Sequence, residues 1–135
     1  MRKGEITKTM IRQSKEIWEL LKPGEFVPEP GDWVVTSGSP VLFLRYMSRW
    51  DTALLYFMDQ TTRVYEVKGF YPIFTFSHCL DLLRGLGCEF HIAIVNKASK
   101  EVTLSFWYTS YTVGHGNNLH ECAQSVLLKV LKGES

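Results

Sequence analysis

The residue types in this chain that could hold a metal ion are His78, Cys79, Cys88, His91, His115, His120, Glu121 and Cys122. Their spacing argues against such a centre. Cys88 and His91 are an odd number of positions apart on a run that alternates like a strand, so they face opposite sides. His115 and His120 flank a helix start without H-E-x-x-H or C-x-x-C spacing. A cysteine nucleophile needs a histidine within reach. His78 and Cys79 are sequence neighbours, but neighbours on a helix diverge by about 100°. Cys122 lies on an apolar helix stripe shortly after His120. No oxyanion motif surrounds either thiol, and no G-x-S-x-G or other hydrolase signature occurs. Asp32, Asp51 and Asp59 fall at turns, where aspartate serves the backbone. The expectation is a protein that is not an enzyme, with no catalytic residue, no metal and no cofactor.

Gly114-His115-Gly116-Asn117-Asn118 is the segment with the most chemistry left in it. A glycine-rich loop that opens a helix presents free backbone N–H groups and a positive dipole end, which together suit an anion. Trp107, Tyr108 and Tyr111 stand just before it and could stack on a base. These eight residues form the expected site for a nucleotide or another phosphate-bearing small ligand. The competing reading is a plain strand-to-helix connection with two glycines and a cap. The segment matches neither G-x-G-x-x-G nor Walker A, so neither of those folds is invoked.

The elements that must position these residues are clearest from Glu89 to Lys132. Phe90, Ile92 and Ile94 alternate with their neighbours, and Val102, Leu104, Phe106 and Tyr108 do the same after the polar turn Asn96–Lys100. Period two over adjacent runs predicts a hairpin with one greasy face. Ala93, Val95 and Trp107 on the other face suggest that it is partly covered too. Residues 111–118 read as loop. Asn118 with Glu121 predicts a helix N-cap and a reaching carboxylate. Leu119, Cys122, Ala123, Val126, Leu127, Val130 and Leu131 then follow a helical stripe, expected to pack on the hairpin. Lys129 and Lys132 in the last turn and Gly133 just beyond it suit the helix end.

Upstream, residues 6–22 predict a helix with Ile6, Met10, Ile17, Trp18 and Leu21 near one stripe, ended by Pro23-Gly24. Residues 25–31 hold Pro28, Pro30 and two glutamates in an extended linker. Short apolar runs between residues 32 and 68, separated by polar turns, predict an antiparallel meander. Thr75 is the expected N-cap of a helix whose inner stripe is Cys79, Leu80, Leu82, Leu83 and Leu86, stopped by Gly85 and Gly87. The fold class is therefore α+β: an antiparallel sheet, made of the meander and the C-terminal hairpin, flanked by helices in an α/β/α sandwich-like arrangement. One domain over 1–135 is the simplest division, with a β-rich lobe at 32–68 and an α-β-β-α lobe at 75–132.

Composition narrows the partners. The chain has 15 Lys plus Arg against 14 Asp plus Glu and no basic run, which argues against a dedicated nucleic-acid binder. No apolar run approaches the roughly 20 residues that span a bilayer. The N-terminus lacks an apolar h-region, so no secretory signal is read. Three cysteines, each in apolar surroundings, suggest reduced thiols and a cytoplasmic protein. Aromatic residues including Trp33, Trp50, Tyr56, Tyr65, Trp107 and Tyr111 exceed what a small core easily hides. Some are expected to line a groove or an oligomer interface.

Phe90-His91-Ile92-Ala93-Ile94, Val102-Thr103-Leu104-Ser105-Phe106 and the helix His120–Leu131 resemble the small phage-encoded ABA sandwich proteins. Glu29-Pro30-Gly31-Asp32-Trp33-Val34-Val35 and Tyr71-Pro72-Ile73-Phe74 look like parts of short accessory proteins of phages and prophages. The resemblance covers about the last 60 residues, with those upstream echoes, and is one of hydrophobic pattern; it carries no site residue over. It implies a small accessory protein in the cytoplasm of an infected or lysogenic bacterium. Some phage proteins of this build blunt host immunity by sequestering nucleotide signals, usually as oligomers. The first expectation is thus a non-enzymatic host-defence antagonist that binds a nucleotide-like ligand. The alternative is an adaptor or inhibitor that meets a host protein through an aromatic surface.

Overall fold

The computed structural model describes residues 1–47, 51–107 and 110–133. The α+β class holds: antiparallel sheets accompany three α-helices. The chain divides into two compact units, Met1–Ile73 and Phe74–Ser135. The division falls close to the boundary between the two expected lobes.

In the first unit, α1 spans Lys8–Leu20. Thr7 caps it, its hydroxyl accepting from the Met10 N–H at 3.1 Å, so the helix begins later than the apolar pattern suggested. Met10, Ser14 and Ile17 face inward. The meander consists of β1 (Trp33–Thr36), β2 (Ser39–Tyr46), β3 (Thr52–Tyr56) and β4 (Thr62–Glu66). A short β5 (Tyr71–Pro72) pairs with β1 on the other side, giving the order β4-β3-β2-β1-β5. Ser37 and Gly38 both have positive φ, 50° and 76°, the geometry of a two-residue hairpin turn whose twist matches its strands. Val35, on one face of the sheet, packs with Met10 of α1 and Ile73. Its neighbour Val34 joins Val41, Phe43, Ala53, Leu55 and Phe70 on the other. Alternation along the strand thus gives this sheet two buried faces.

In the second unit, α2 spans Phe76–Gly85. Thr75 caps it as expected, and His78 completes the reciprocal box by accepting the Thr75 N–H through Nδ1 at 3.2 Å. Cys79 and Leu83 are buried, whereas Leu86, placed on the inner stripe by pattern, is exposed. The hairpin strands are β6 (Glu89–Val95) and β7 (Val102–Trp107). Residues 111–116, expected as loop, form a further strand, β8 (Tyr111–Gly116), so the hairpin is part of a three-stranded sheet ordered β6-β7-β8. The last helix, α3, spans Leu119–Leu131 and ends at Gly133, whose φ is +73°. It packs on β8 and β7 and against α2. Leu119 of the expected stripe is exposed; Gln124 and Leu128, outside it, are buried.

The second sheet has unequal faces. Val102, Leu104 and Phe106 of β7 are buried with α3 on the inner face. A bulge at His91 breaks the register of β6 between Phe90 and Ile92. Phe90 pairs with Phe106, Ala93 with Leu104 and Val95 with Val102, so these side chains point inward. Ile92 pairs with Ser105 and Ile94 with Thr103, on the outer face. The expected single face of Phe90, Ile92 and Ile94 is therefore split. Every residue of β6 is exposed, and the cover expected over Ala93, Val95 and Trp107 is absent.

Candidate functional site

The glycine segment is a packing device. Gly114 and Gly116 sit in β8, paired with Leu104 and Val102 on the inner face. A Cβ at Gly114 would collide with the Cys122 carbonyl oxygen and lie 2.6 Å from Val126 Cγ2; one at Gly116 would lie 2.7 Å from Glu121 Cβ. Glycine is required because α3 lies against the strand backbone, not because a phosphate does. The expected cradle is corrected on that ground.

The start of α3 is also occupied. The Asn118 side chain accepts the Glu121 N–H at 2.9 Å. The Glu121 carboxylate, only 3% exposed, turns back to accept the Asn117 N–H at 3.4 Å and the Asn118 side-chain amide at 3.2 Å. A carboxylate already stands at the positive end of the helix dipole, where an anionic ligand was expected. Asn117 and Asn118 therefore serve the cap.

The eight expected ligand residues do not converge. Tyr108 lies outside the described residues. Trp107 and Tyr111 do meet, as a T-shaped pair with ring centroids 4.9 Å apart. They are directly paired across β7 and β8, on the outer face with Ser105 and Thr103. His115 joins that face farther along, its Nδ1 3.3 Å from Thr103 Oγ1 and 3.6 Å from Glu101 Oε1. Gly114 and Gly116 belong to the opposite face. Strand alternation separates residues that a loop would have gathered.

The remaining histidines and cysteines are tied into the fold. His120 Nδ1 accepts the Phe76 N–H at 2.8 Å and so caps α2 from α3. All three cysteines are buried and unpaired with one another. Cys122 donates to the Val102 carbonyl at 2.8 Å. Burial, with Glu121 and Glu101 nearby, pushes its thiol up to about 11. Burial raises Cys79 and Cys88 as well. A thiolate nucleophile needs the opposite shift. Among the described residues no cluster of three histidine, cysteine or acidic side chains could hold a metal. No helix of the described residues is long and apolar enough to cross a membrane.

The geometry instead gathers an apolar and aromatic surface on the outer face. His91, at the bulge, meets Tyr111 with ring centroids 4.9 Å apart and planes tilted by 53°, and Tyr111 contacts Trp107. Ile92 and Ile94 continue the patch along β6. Their exposures are 46% and 56%, and those of Trp107 and Tyr111 are 45% and 52%. Contiguous exposure of this kind marks an interaction site; scattered single residues do not. Sequence reading flagged Trp107 and Tyr111 but assigned Ile92 and Ile94 to the core. The signal that could have moved them is His91, a polar residue interrupting an apolar run, where a bulge re-aims the strand.

The first unit has clefts of its own, lined by none of these residues. One of about 240 Å³ is bounded by Lys15, Trp18, Glu19, Lys68 and Tyr71, among others, which is below the usual size of a small-molecule pocket. Another, about 490 Å³, opens between Asp51, Glu66, Val67 and Lys68. Among its described lining residues, Lys68 and Glu66 are paired with each other at 3.7 Å. Compared with known proteins, the chain matches no family model, no curated protein and no solved structure.

Proposed function

We propose that this protein is a non-enzymatic interaction module that captures a protein partner on the outer face of β6, β7 and β8. The observation that carries the reading is the joined patch of His91, Trp107, Tyr111, Ile92 and Ile94. Tryptophan and tyrosine anchor interfaces because they bury large areas at small entropic cost and keep a polar handle. An open sheet face with exposed rings suits a protein surface better than it suits a small molecule, which needs concavity. The resemblance to small phage proteins supplies the proposed setting, an infected or lysogenic bacterium. The proposed partner there is a host protein, and inhibition of a host defence is the role.

Nucleotide sequestration is the rival outcome. It retains Trp107 and Tyr111 as stacking rings but has no free helix end to hold phosphate. The test compares the wild-type chain with Trp107→Ala and Tyr111→Ala as baits in host lysate, alongside melting curves with nucleotides. The expected result is a partner bound by wild type and weakened about 30-fold or more by Trp107→Ala, with the variant's melting temperature unchanged. Partner binding that ignores both substitutions overturns the reading. So does a nucleotide that raises the melting temperature by mass action.

A further inference from the structure

The free edge of β6 differs from every other sheet edge among the described residues. The edge strand β4 carries Arg63 and Glu66, and β5 is two residues long and contains Pro72. On β8, Lys129 reaches from α3 to the Val113 carbonyl. Charges, proline, shortness and lysine are the devices that stop strands from pairing with strangers. Seven residues long, β6 has no proline or lysine, and its only formal charge is Glu89 at one end. It is apolar on both faces, with Phe90 and Val95 inward and Ile92 and Ile94 outward, and all four are exposed. A strand apolar on both sides is the pattern of a sheet interior.

The hydrogen-bonding direction of this edge can be read from the turn. Asn96 donates its N–H to Glu101 at 2.8 Å and accepts from the Lys100 N–H at 2.7 Å, so both its backbone groups point towards β7. Strand alternation turns Ile94 the same way and leaves the N–H and C=O of Ala93 and Val95 facing outward.

We infer that β6 pairs with β6 of a second copy, antiparallel about a twofold axis at Ala93, to give one continuous six-stranded sheet. The strand is complementary to itself in this register. Ala93 faces its own copy across the axis, where its outward backbone groups exchange both hydrogen bonds. Ile92 meets Ile94 of the second copy on the outer face, and the reverse. With the extra residue at the His91 bulge taken up, Glu89 of each chain comes to the Asn96-Lys97 turn of the other, within reach of the Lys97 ammonium, an opposite-charge pair made twice by symmetry. A one-residue slip in register, which puts the axis midway between two residues, would set inward side chains against outward ones. The dimer would place two copies of the His91, Trp107 and Tyr111 cluster on one platform. It does not depend on the outer face binding any partner, and Trp107→Ala should leave it intact.

Sedimentation of the full chain over a range of concentrations tests this. The expected species has twice the 15.6 kDa chain mass. Ala93→Pro removes an outward donor that the β6–β7 ladder does not use, and should give a folded monomer. Glu89→Lys and Lys97→Glu should each weaken the dimer about three- to tenfold, and the double charge swap should restore it. If Ala93→Pro disturbs the fold, the charge swap decides. A wild-type chain that stays monomeric at high concentration overturns the inference. So does a dimer indifferent to the charge reversals.

Discussion

The two edges of the three-stranded sheet were built for different tasks. On the β8 side, glycines admit α3 to the strand backbone and Lys129 closes the free carbonyl of Val113. Glu121 and Asn118 seal the start of that helix. Such an arrangement spends its polar groups internally and leaves little for a ligand. On the β6 side, the same sheet ends in a strand exposed throughout, beside an aromatic cluster. The glycine-rich residues therefore specify the fold, while the plain apolar strand faces outward. Chemical conspicuousness in a sequence and availability in a structure are separate properties.

The comparison can be broken hardest at Gly114. Gly114→Val should cost roughly 3 kcal/mol or more, because a branched side chain must displace the backbone of α3. Urea denaturation would show it as a lowered midpoint. A tolerated valine would mean the strand and helix are not in close contact.

The next effect is a dependence on alkali. Burial raises all three thiols, Cys122 to about 11, so the folded chain holds their protons longer than the unfolded chain, whose thiols ionise near ~8.5. The sign follows by linkage: this contribution is intact below the unfolded value and is lost as pH rises towards the folded one. Cys122 alone should lower stability by about 1 kcal/mol between pH ~8.5 and ~10. Melts across that range check it, and Cys122→Ala should flatten the decline. A stability flat to pH ~10 would place the thiols in water.

The smallest effect sharpens the other side. Ile92→Thr and Ile94→Thr should change the stability of the isolated chain by no more than ~0.5 kcal/mol, since both side chains are exposed and threonine suits a strand. The same changes should weaken association. Dilute-solution melts that fall by several kcal/mol would place these residues in the chain's own core.

Much of this architecture is legible from local chemistry. Thr75, Asn118 and Gly133 announce helix ends because capping depends on a few adjacent residues. The meander follows from alternation and turn residues, and the α+β class with it. Legibility ends where the deciding partner is distant in sequence. Residues 111–116 looked like loop because glycine usually marks one, yet Gly114 is needed only because Val126 and Cys122 lie across from it. The inward and outward halves of β6 depend on a bulge at His91 that period-two reading passes over. The candidate ligand residues failed to converge for the same reason: alternation on a strand sorted them onto two faces. Trp107 and Tyr111 survived as a pair because cross-strand register joins them.

Residue-resolved amide hydrogen exchange, run on the full chain at low and at high concentration, addresses the contrast between the two edges most directly. The amide of Ile94 and the ladder amides of β8 should be protected at both concentrations. Those of Ala93 and Val95 should exchange freely when dilute and become protected when concentrated. Equal protection of Ala93 and Val95 at every concentration would contradict the account, as would β8 ladder amides no slower than those of the β6 edge.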